Sequence, residues 1–339
     1  MKIIVTGGAG FIGCNVARFH LDRGDKVVAI DNLSRRGSAD NLEWLKKAGS
    51  PEFIKLDMAD YDSLKTAISS HKDADIIYHM AGQVAVTISV ADPRRDFEVN
   101  AKGTFNLLEA VRTLKADPAI IYASTNKVYG EMASVKIVEK NGRYQYASLR
   151  NGISEDMLLD FHSPYGCSKG CADQYIIDYA RIYGLKTISM RQSCIYGVRQ
   201  FGVADQGWIM HFIISAILDR PVIIYGDGKQ VRDILYIDDL IQAFQAAYKN
   251  IGKVKGTAFN IGGGINNQMS ILELVSMLED KLKRKIRTQY AAWRPGDQRI
   301  YISDIEKARK LLTWEPKVSK AEGIDMLIDW AKKNKEMFI

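Results

Sequence analysis

Met1-Lys2-Ile3-Ile4-Val5-Thr6-Gly7-Gly8-Ala9-Gly10-Phe11-Ile12-Gly13 opens the chain, and its reading decides the fold. The apolar run Lys2–Thr6 reads as a buried strand. It runs straight into glycines at 7, 10 and 13, and Phe11–Arg23 reads as the helix that follows. A strand turning sharply into a helix on this glycine spacing is the phosphate-binding turn of a dinucleotide fold. Gly7 permits the tight turn. Gly10 lets backbone approach a pyrophosphate, and Gly13 lets the helix pack closely. Phe11 and Ile12 fill the first helical positions, where the helix N-terminus faces the negative charge. The same residues argue against a signal peptide, which needs a longer apolar region and a cleavage site.

Outward from this turn, short apolar runs alternate with amphipathic stretches. Strands are expected at Lys26–Asp31, Glu52–Leu56, Ile76–His79 and Ala119–Ala123, with helices at Ser63–Ser70 and Arg94–Leu114. Thr187–Arg191 and Ala258–Ile261 read as a sixth and a seventh strand. Such alternation predicts an α/β fold, a doubly wound parallel sheet of Rossmann type with helices on both faces. The segments Gln192–Lys229 and Gly264–Ile339 do not continue the pattern. They are expected to form a smaller, discontinuous lobe. The division is therefore 1–191 plus 231–263 for the dinucleotide-binding domain, and 192–230 plus 264–339 for the substrate lobe.

The 339 residues are 47% hydrophobic, enough for a sizeable core, yet hold no apolar run of about 18 residues. No membrane association is expected, and the chain reads as cytoplasmic. Cys14, Cys167, Cys171 and Cys194 lack metal-ligand spacing and read as reduced packing residues, so no metal is expected. The formal net charge of +7 is scattered over many lysines. Nucleic-acid binding would call for clustered charge interleaved with aromatics.

Asp31 ends the second strand, with Asn32 beside it. An acid there accepts the ribose hydroxyls of an adenosine and repels a 2′-phosphate, which favours NAD over NADP. Asp57-Met58 ends the third strand, where adenine would lie. Ala81-Gly82 ends the fourth, where small residues leave room for the cofactor.

Tyr165 and Lys169 are four residues apart, and on a helix they share a face. A tyrosine that accepts a proton must fall from about 10 to about 7, which costs about 4 kcal/mol. Lys169, together with the positive nicotinamide of an oxidised cofactor, would supply that shift. Thr125 follows the fifth strand, where its hydroxyl can bond a reacting hydroxyl and assist proton transfer.

Gly7-x-x-Gly10-x-x-Gly13, Asp31, Ser124-Thr125, Val128-Tyr129-Gly130, Tyr165-x-x-x-Lys169, Val231-Arg232-Asp233 and Arg294-Pro295-Gly296-Asp297 together resemble the extended short-chain dehydrogenase/reductases. The resemblance spans nearly the whole chain. It implies an enzyme with a nucleotide-diphosphate sugar as substrate. Thr125, Tyr165 and Lys169 would be catalytic, and Ser124, Tyr165, Lys169 and Asn100 would also border the cofactor. Arg232 and Arg294 would grip the diphosphate. Gln83, Thr125, Asn126, Gln192, Ser193, Gln206 and Asp297 complete the substrate set. The resemblance also implies a homodimer or homotetramer, built on helices at Arg94–Leu114 and Tyr165–Tyr183.

Further stretches narrow this resemblance. They are Asp31–Gly37, Met80–Ala85, Ser124–Gly130, Leu159–Lys169, Arg199-Gln200-Phe201 and Asp205–Trp208. They are similar to the branch that inverts C2 of a CDP-linked dideoxyhexose through transient oxidation. The chain departs from that branch at Gln192-Ser193-Cys194 and in Glu131–Arg150, both expected near the substrate. A 4,6-dehydratase would carry an acid pair where Asn126 and Lys127 stand. A 4-epimerase needs only the same three catalytic residues and a different sugar orientation. A silent dinucleotide-binding regulator would not need Thr125, Tyr165 and Lys169.

Overall fold

The computed structural model describes residues 1–294 and 296–339; Pro295 of the Arg294–Asp297 motif lies outside the described residues. The first half runs β1 (Lys2–Thr6), α1 (Phe11–Leu21), β2 (Lys26–Asp31), α2 (Ser38–Gly49), β3 (Glu52–Lys55), α3 (Tyr61–Ser70) and β4 (Ile76–His79). Then come α4 (Val86–Ala91), α5 (Pro93–Phe97), α6 (Gly103–Thr113) and β5 (Ala119–Thr125). A hairpin of β6 (Ile137–Lys140) and β7 (Arg143–Tyr146) precedes α7 (Ser163–Tyr183). The remaining strands are β8 (Lys186–Gln192), β9 (Cys194–Tyr196), β10 (Val222–Tyr225), β11 (Val231–Tyr236), β12 (Thr257–Ile261), β13 (Gln268–Ser270), β14 (Thr288–Ala291) and β15 (Ile300–Tyr301).

Seven strands form one sheet in the order β12-β8-β5-β4-β1-β2-β3, and every pairing in it is parallel. The chain reverses direction across the sheet between β1 and β4. In such sheets a crevice opens at this switch, outside the carboxyl ends of the strands. Both faces are covered, as the continuous apolar strands require. Alternate residues feed two cores. Ile3, Val5, Ile76 and Tyr78 pack with Phe244 and Leu240 on one side. Ile4, Val28, Ile30 and Ile77 pack with Leu107, Val111 and Ile176 on the other.

The predicted strands are all present, and β5 extends through Ser124 and Thr125. The helix expected over Arg94–Leu114 differs in one respect. It is α5, then a wider π turn at Glu98–Lys102, then α6. The π turn lets one extra residue into the helix at Asn100, whose side chain packs behind Gly82 of the cofactor cleft, and π turns favour functional positions. Helix α2 carried no clear period and was not predicted. Asp60 caps α3 by accepting from Ser63 N at 3.2 Å, which starts that helix at Tyr61.

β11 pairs with β9, β13 and β15, and β10 pairs with β14. These small sheets stand over the carboxyl edge of the large one and carry Arg232 and the segment around Arg294. The hairpin of β6 and β7 packs on this layer through Tyr144, whose hydroxyl donates to Asp227 at 2.6 Å. Among the described residues, no helix is long and apolar enough to cross a membrane.

Candidate active site

Two contiguous clefts lie at the carboxyl edge. The first, of about 410 Å³, is bordered by Gly7, Gly10, Phe11, Ile12 and Gly13 of the opening turn. Asp31, Asn32, Asp57, Met58, Ala81 and Gly82 complete its wall from the ends of β2, β3 and β4. The glycine spacing has a steric cause. A Cβ on Gly13 would lie 2.0 Å from Gly7 O, and one on Gly7 would lie 2.7 Å from Ala81 N. Gly10 is the N-cap of α1, with no side chain capping the first turn and no acid within it. Its amides are therefore available to an anion.

Asp31 is held in place from below. One carboxylate oxygen accepts from Ala9 N at 3.0 Å and the other from Leu33 N at 2.7 Å. Burial nevertheless leaves its carboxyl above the usual range. Asn32 donates to Asp57 at 3.0 Å, and the Arg95 guanidinium closes on the same carboxylate. These residues fit a dinucleotide whose ribose is unphosphorylated: an acid at the second strand's end, a free helix N-terminus and a glycine floor.

The second cleft, of about 290 Å³, is bordered by Thr125, Asn126, Tyr165, Gln192, Ser193, Gln206, Arg232, Arg294 and Asp297. Phe11, Ile12, Val84, Gln200 and Gln206 border both clefts, so the two meet there. Burial pushes the Tyr165 phenol up to about 12, and a hydrogen bond from Thr125 opposes that rise. Lys169 lies beneath the surface, 5% exposed. Its ammonium donates to Ala123 O at 2.5 Å and sits 4.2 Å from the centre of the Tyr122 ring. Burial lowers it to about 7, while Asp173 and Asp96 pull the other way. The sequence assigns the lowering of Tyr165 to Lys169 together with an oxidised nicotinamide. In the structure the ammonium lies on Ala123 O and the Tyr122 ring, and the Thr125 hydroxyl opposes the rise of the phenol.

Three expectations change with the geometry. Gln83 borders the first cleft and not the second. Its amide is spent locally, donating to Ala85 O at 2.8 Å and Asp96 at 2.9 Å. Ser124 borders the second cleft, but its hydroxyl donates inward to Asp173 at 2.6 Å. Gln192-Ser193-Cys194 border the second cleft as expected, whereas no residue of Glu131–Arg150 does, because the hairpin packs outward on Asp227 and Lys229.

Asn100 is buried behind Gly82. It accepts from Gln83 N at 2.9 Å and donates to Asp96 and Ser168, both at 3.1 Å. Asp96 was missed in the sequence, although it lies four residues before Asn100, one helical turn away. Asp173 was missed likewise, one turn beyond Lys169. It pairs with Arg191 at 2.8 Å, with both side chains buried. Gln200, within the Arg199-Gln200-Phe201 stretch but given no role from it, and Gln230, which carried no sequence signal, line the second cleft. With Gln192 and Thr87 they leave buried polar atoms unpaired there: Gln192 Nε2, Gln200 Oε1, Gln230 Oε1 and Thr87 Oγ1. A polar ligand would satisfy them.

The chain matches the GDP-mannose 4,6 dehydratase family over residues 4–327. The chain belongs to this family of extended short-chain dehydrogenase/reductases. Among its family relatives, CDP-paratose 2-epimerase of Salmonella typhi is 46% identical over 335 residues, covering 97% of this chain and 99% of the relative. A solved UDP-glucose 4-epimerase of Thermotoga maritima with UDP-glucose is 32% identical, with a TM-score of 0.85 over 98% of this chain and 99% of that one. The UDP-glucuronic acid 4-epimerase of Bacillus cereus, solved with UDP-glucuronic acid and NAD, is also 32% identical. Its TM-score is 0.83, over 98% of this chain and all (100%) of that one.

Proposed function

We propose that this chain is an NAD-dependent nucleotide-sugar epimerase that inverts C2 of a CDP-linked 3,6-dideoxyhexose, CDP-paratose to CDP-tyvelose in type. The observation that carries it is that Tyr165 and Thr125 border the second cleft, which joins the dinucleotide cleft through Phe11, Ile12, Val84, Gln200 and Gln206. The full-length likeness to a 2-epimerase supports C2 over C4.

NAD fits the first cleft, where the amides opening α1 would hold its pyrophosphate and Asp31 its adenosine ribose. When bound, it supplies reversible hydride acceptance beside the sugar carbon. The chain's own residues manage the proton. Thr125 holds the reacting hydroxyl against Tyr165, and Tyr165 takes its proton and later returns it. Lys169, fixed by Ala123 and Tyr122, lies directly behind the site. Arg232 and Arg294 hold the substrate diphosphate. The resulting 2-keto sugar turns over inside the cleft and is reduced on its other face. Two acids border the sugar cleft, Asp297 and Asp205. Arg294 lies 3.1 Å from the first and 3.8 Å from the second. Neither stands free for the water elimination of a dehydratase.

Proton NMR in heavy water tests the reading. Inversion at C2 with the substrate's C2 hydrogen retained is the expected outcome. Complete deuterium incorporation at C2, or inversion at C4, would exclude it. Acid-denatured protein should release NAD(H) and little NADP(H).

The reading includes a homodimer or homotetramer. Phe105 on α6 and Tyr175 and Tyr183 on α7 are 39%, 41% and 50% exposed. They join Tyr179 in an edge-to-face aromatic row. Such a row is more apolar than a solvated helix face needs to be.

A further inference from the structure

Lys127 stands in the turn just after Thr125, in the position where a dehydratase would need an acid. Its backbone amide donates to Thr125 Oγ1 at 3.2 Å. Its side chain crosses the second cleft, and the ammonium donates to Gly296 O at 2.9 Å. Gly296 belongs to the segment that carries Arg294 and Asp297. The ammonium therefore bridges the catalytic strand end and the segment of one cleft arginine.

The charge balance around it is incomplete. Arg294 has Asp297 and Asp205 beside it. Arg232 donates only to backbone, to Val231 O at 2.8 Å and Gln298 O at 2.7 Å. Among the described residues, neither Lys127 nor Arg232 has a carboxylate within ion-pair distance. Two half-buried cations facing one cleft, with only carbonyls as partners, call for an anion. Burial, with Arg232 repelling it and Asp297 only partly offsetting them, brings the Lys127 ammonium down to about 8, and a bound anion would reverse that.

We infer that Lys127 contacts the sugar-linked phosphate of the substrate and so selects the carbon that reaches Tyr165. The inference rests on the nucleotide-sugar reading above and deepens it. The sugar-linked phosphate is bonded through oxygen to C1. C2 is the next carbon, whereas C4 lies across the ring. A cation two residues from Thr125 holds that phosphate, and with it C1, close to the catalytic hydroxyls. The 2-hydroxyl is then the one within reach of Tyr165. A 4-epimerase needs the opposite arrangement, with the phosphate at the far side of the ring. The inference also gives Lys127 a function in place of the missing acid.

Calorimetric titration of the holoenzyme with CDP and CMP, repeated with UDP and UMP to remove base preference, tests the contact. Lys127→Met should weaken CDP and UDP binding by roughly 10- to 100-fold, the scale of a lost hydrogen bond to a charged group. CMP and UMP binding should be unchanged, which also shows that the variant is folded. Lys127→Arg should restore most of the diphosphate affinity, and KM for the CDP-sugar should follow the same order. Equal loss on mono- and diphosphates, or no loss on either, would overturn the contact. The regiochemistry is read separately on the unaltered enzyme. Inversion at C4 alongside a diphosphate-specific loss in Lys127→Met would overturn the selection of C2 and the proposed function, and would leave the phosphate contact standing.

Discussion

Ser124 donates a hydrogen bond to Asp173 at 2.6 Å, and this ties the strand end carrying Thr125 to the helix carrying Tyr165 and Lys169. The same carboxylate accepts from Arg191 Nη2 at 2.8 Å, which fixes the end of β8 beside Gln192. Three elements that border the sugar cleft thus meet on one buried acid. Burial alone would raise that carboxyl, but Arg191 and the hydroxyls hold it below the usual range.

Asp173→Asn should therefore destabilise the fold by about 3–5 kcal/mol, because Arg191 is left buried without its counter-charge. Urea unfolding at neutral pH measures this. The contribution of Asp173 is present above its unfolded value of about 4 and is lost as pH falls through its lower folded value. The gap between the wild-type protein and the variant should accordingly narrow in acid.

Tyr165→Phe should lower kcat by roughly 100-fold or more, the scale of a lost general base, with the unfolding midpoint little changed. Thr125→Val removes the hydrogen bond that opposes the rise of the Tyr165 phenol. Its activity should fall, and the alkaline rise of the pH–rate profile should move to higher pH. A profile that stays in place would separate Thr125 from the ionisation of Tyr165.

Lys169, lowered by burial to about 7, carries the opposite sign from Asp173. Between about pH 7 and its unfolded value of about 10, the unfolded chain holds a proton there that the folded chain has shed. Stability should rise with pH across that window. Lys169→Met should flatten the rise, as read from urea midpoints at pH 7 and pH 9.5.

The aromatic row on α6 and α7 predicts an oligomer that charge would disrupt. Phe105→Glu combined with Tyr175→Glu should yield a monomer by light scattering at micromolar concentration. Both side chains are part-exposed, so the single-chain fold should survive, and circular dichroism should be unchanged.

Much of the fold was legible because it rests on local periodicity. Each parallel strand is a short apolar run with a turn at its carboxyl end, and the opening glycines lie within one turn of backbone. The π turn at Asn100 was not legible, since it changes the helix by one residue without altering its apolar faces. Helix α2 was missed because only Leu42 and Leu45 of its apolar side chains are fully buried.

By itself the sequence determined the dinucleotide turn, the acid at Asp31, and the one-turn spacing of Tyr165 and Lys169, all within a few residues of chain. The tertiary structure alone decided what each of these groups faces. It turned the Lys169 ammonium to Ala123, spent Gln83 on Asp96, and brought Lys127 to Gly296 across 169 residues. The physical reason is that spacing along the chain reports shared faces of one element. Charge state and partner choice depend on burial and on which distant segments the sheet order brings together.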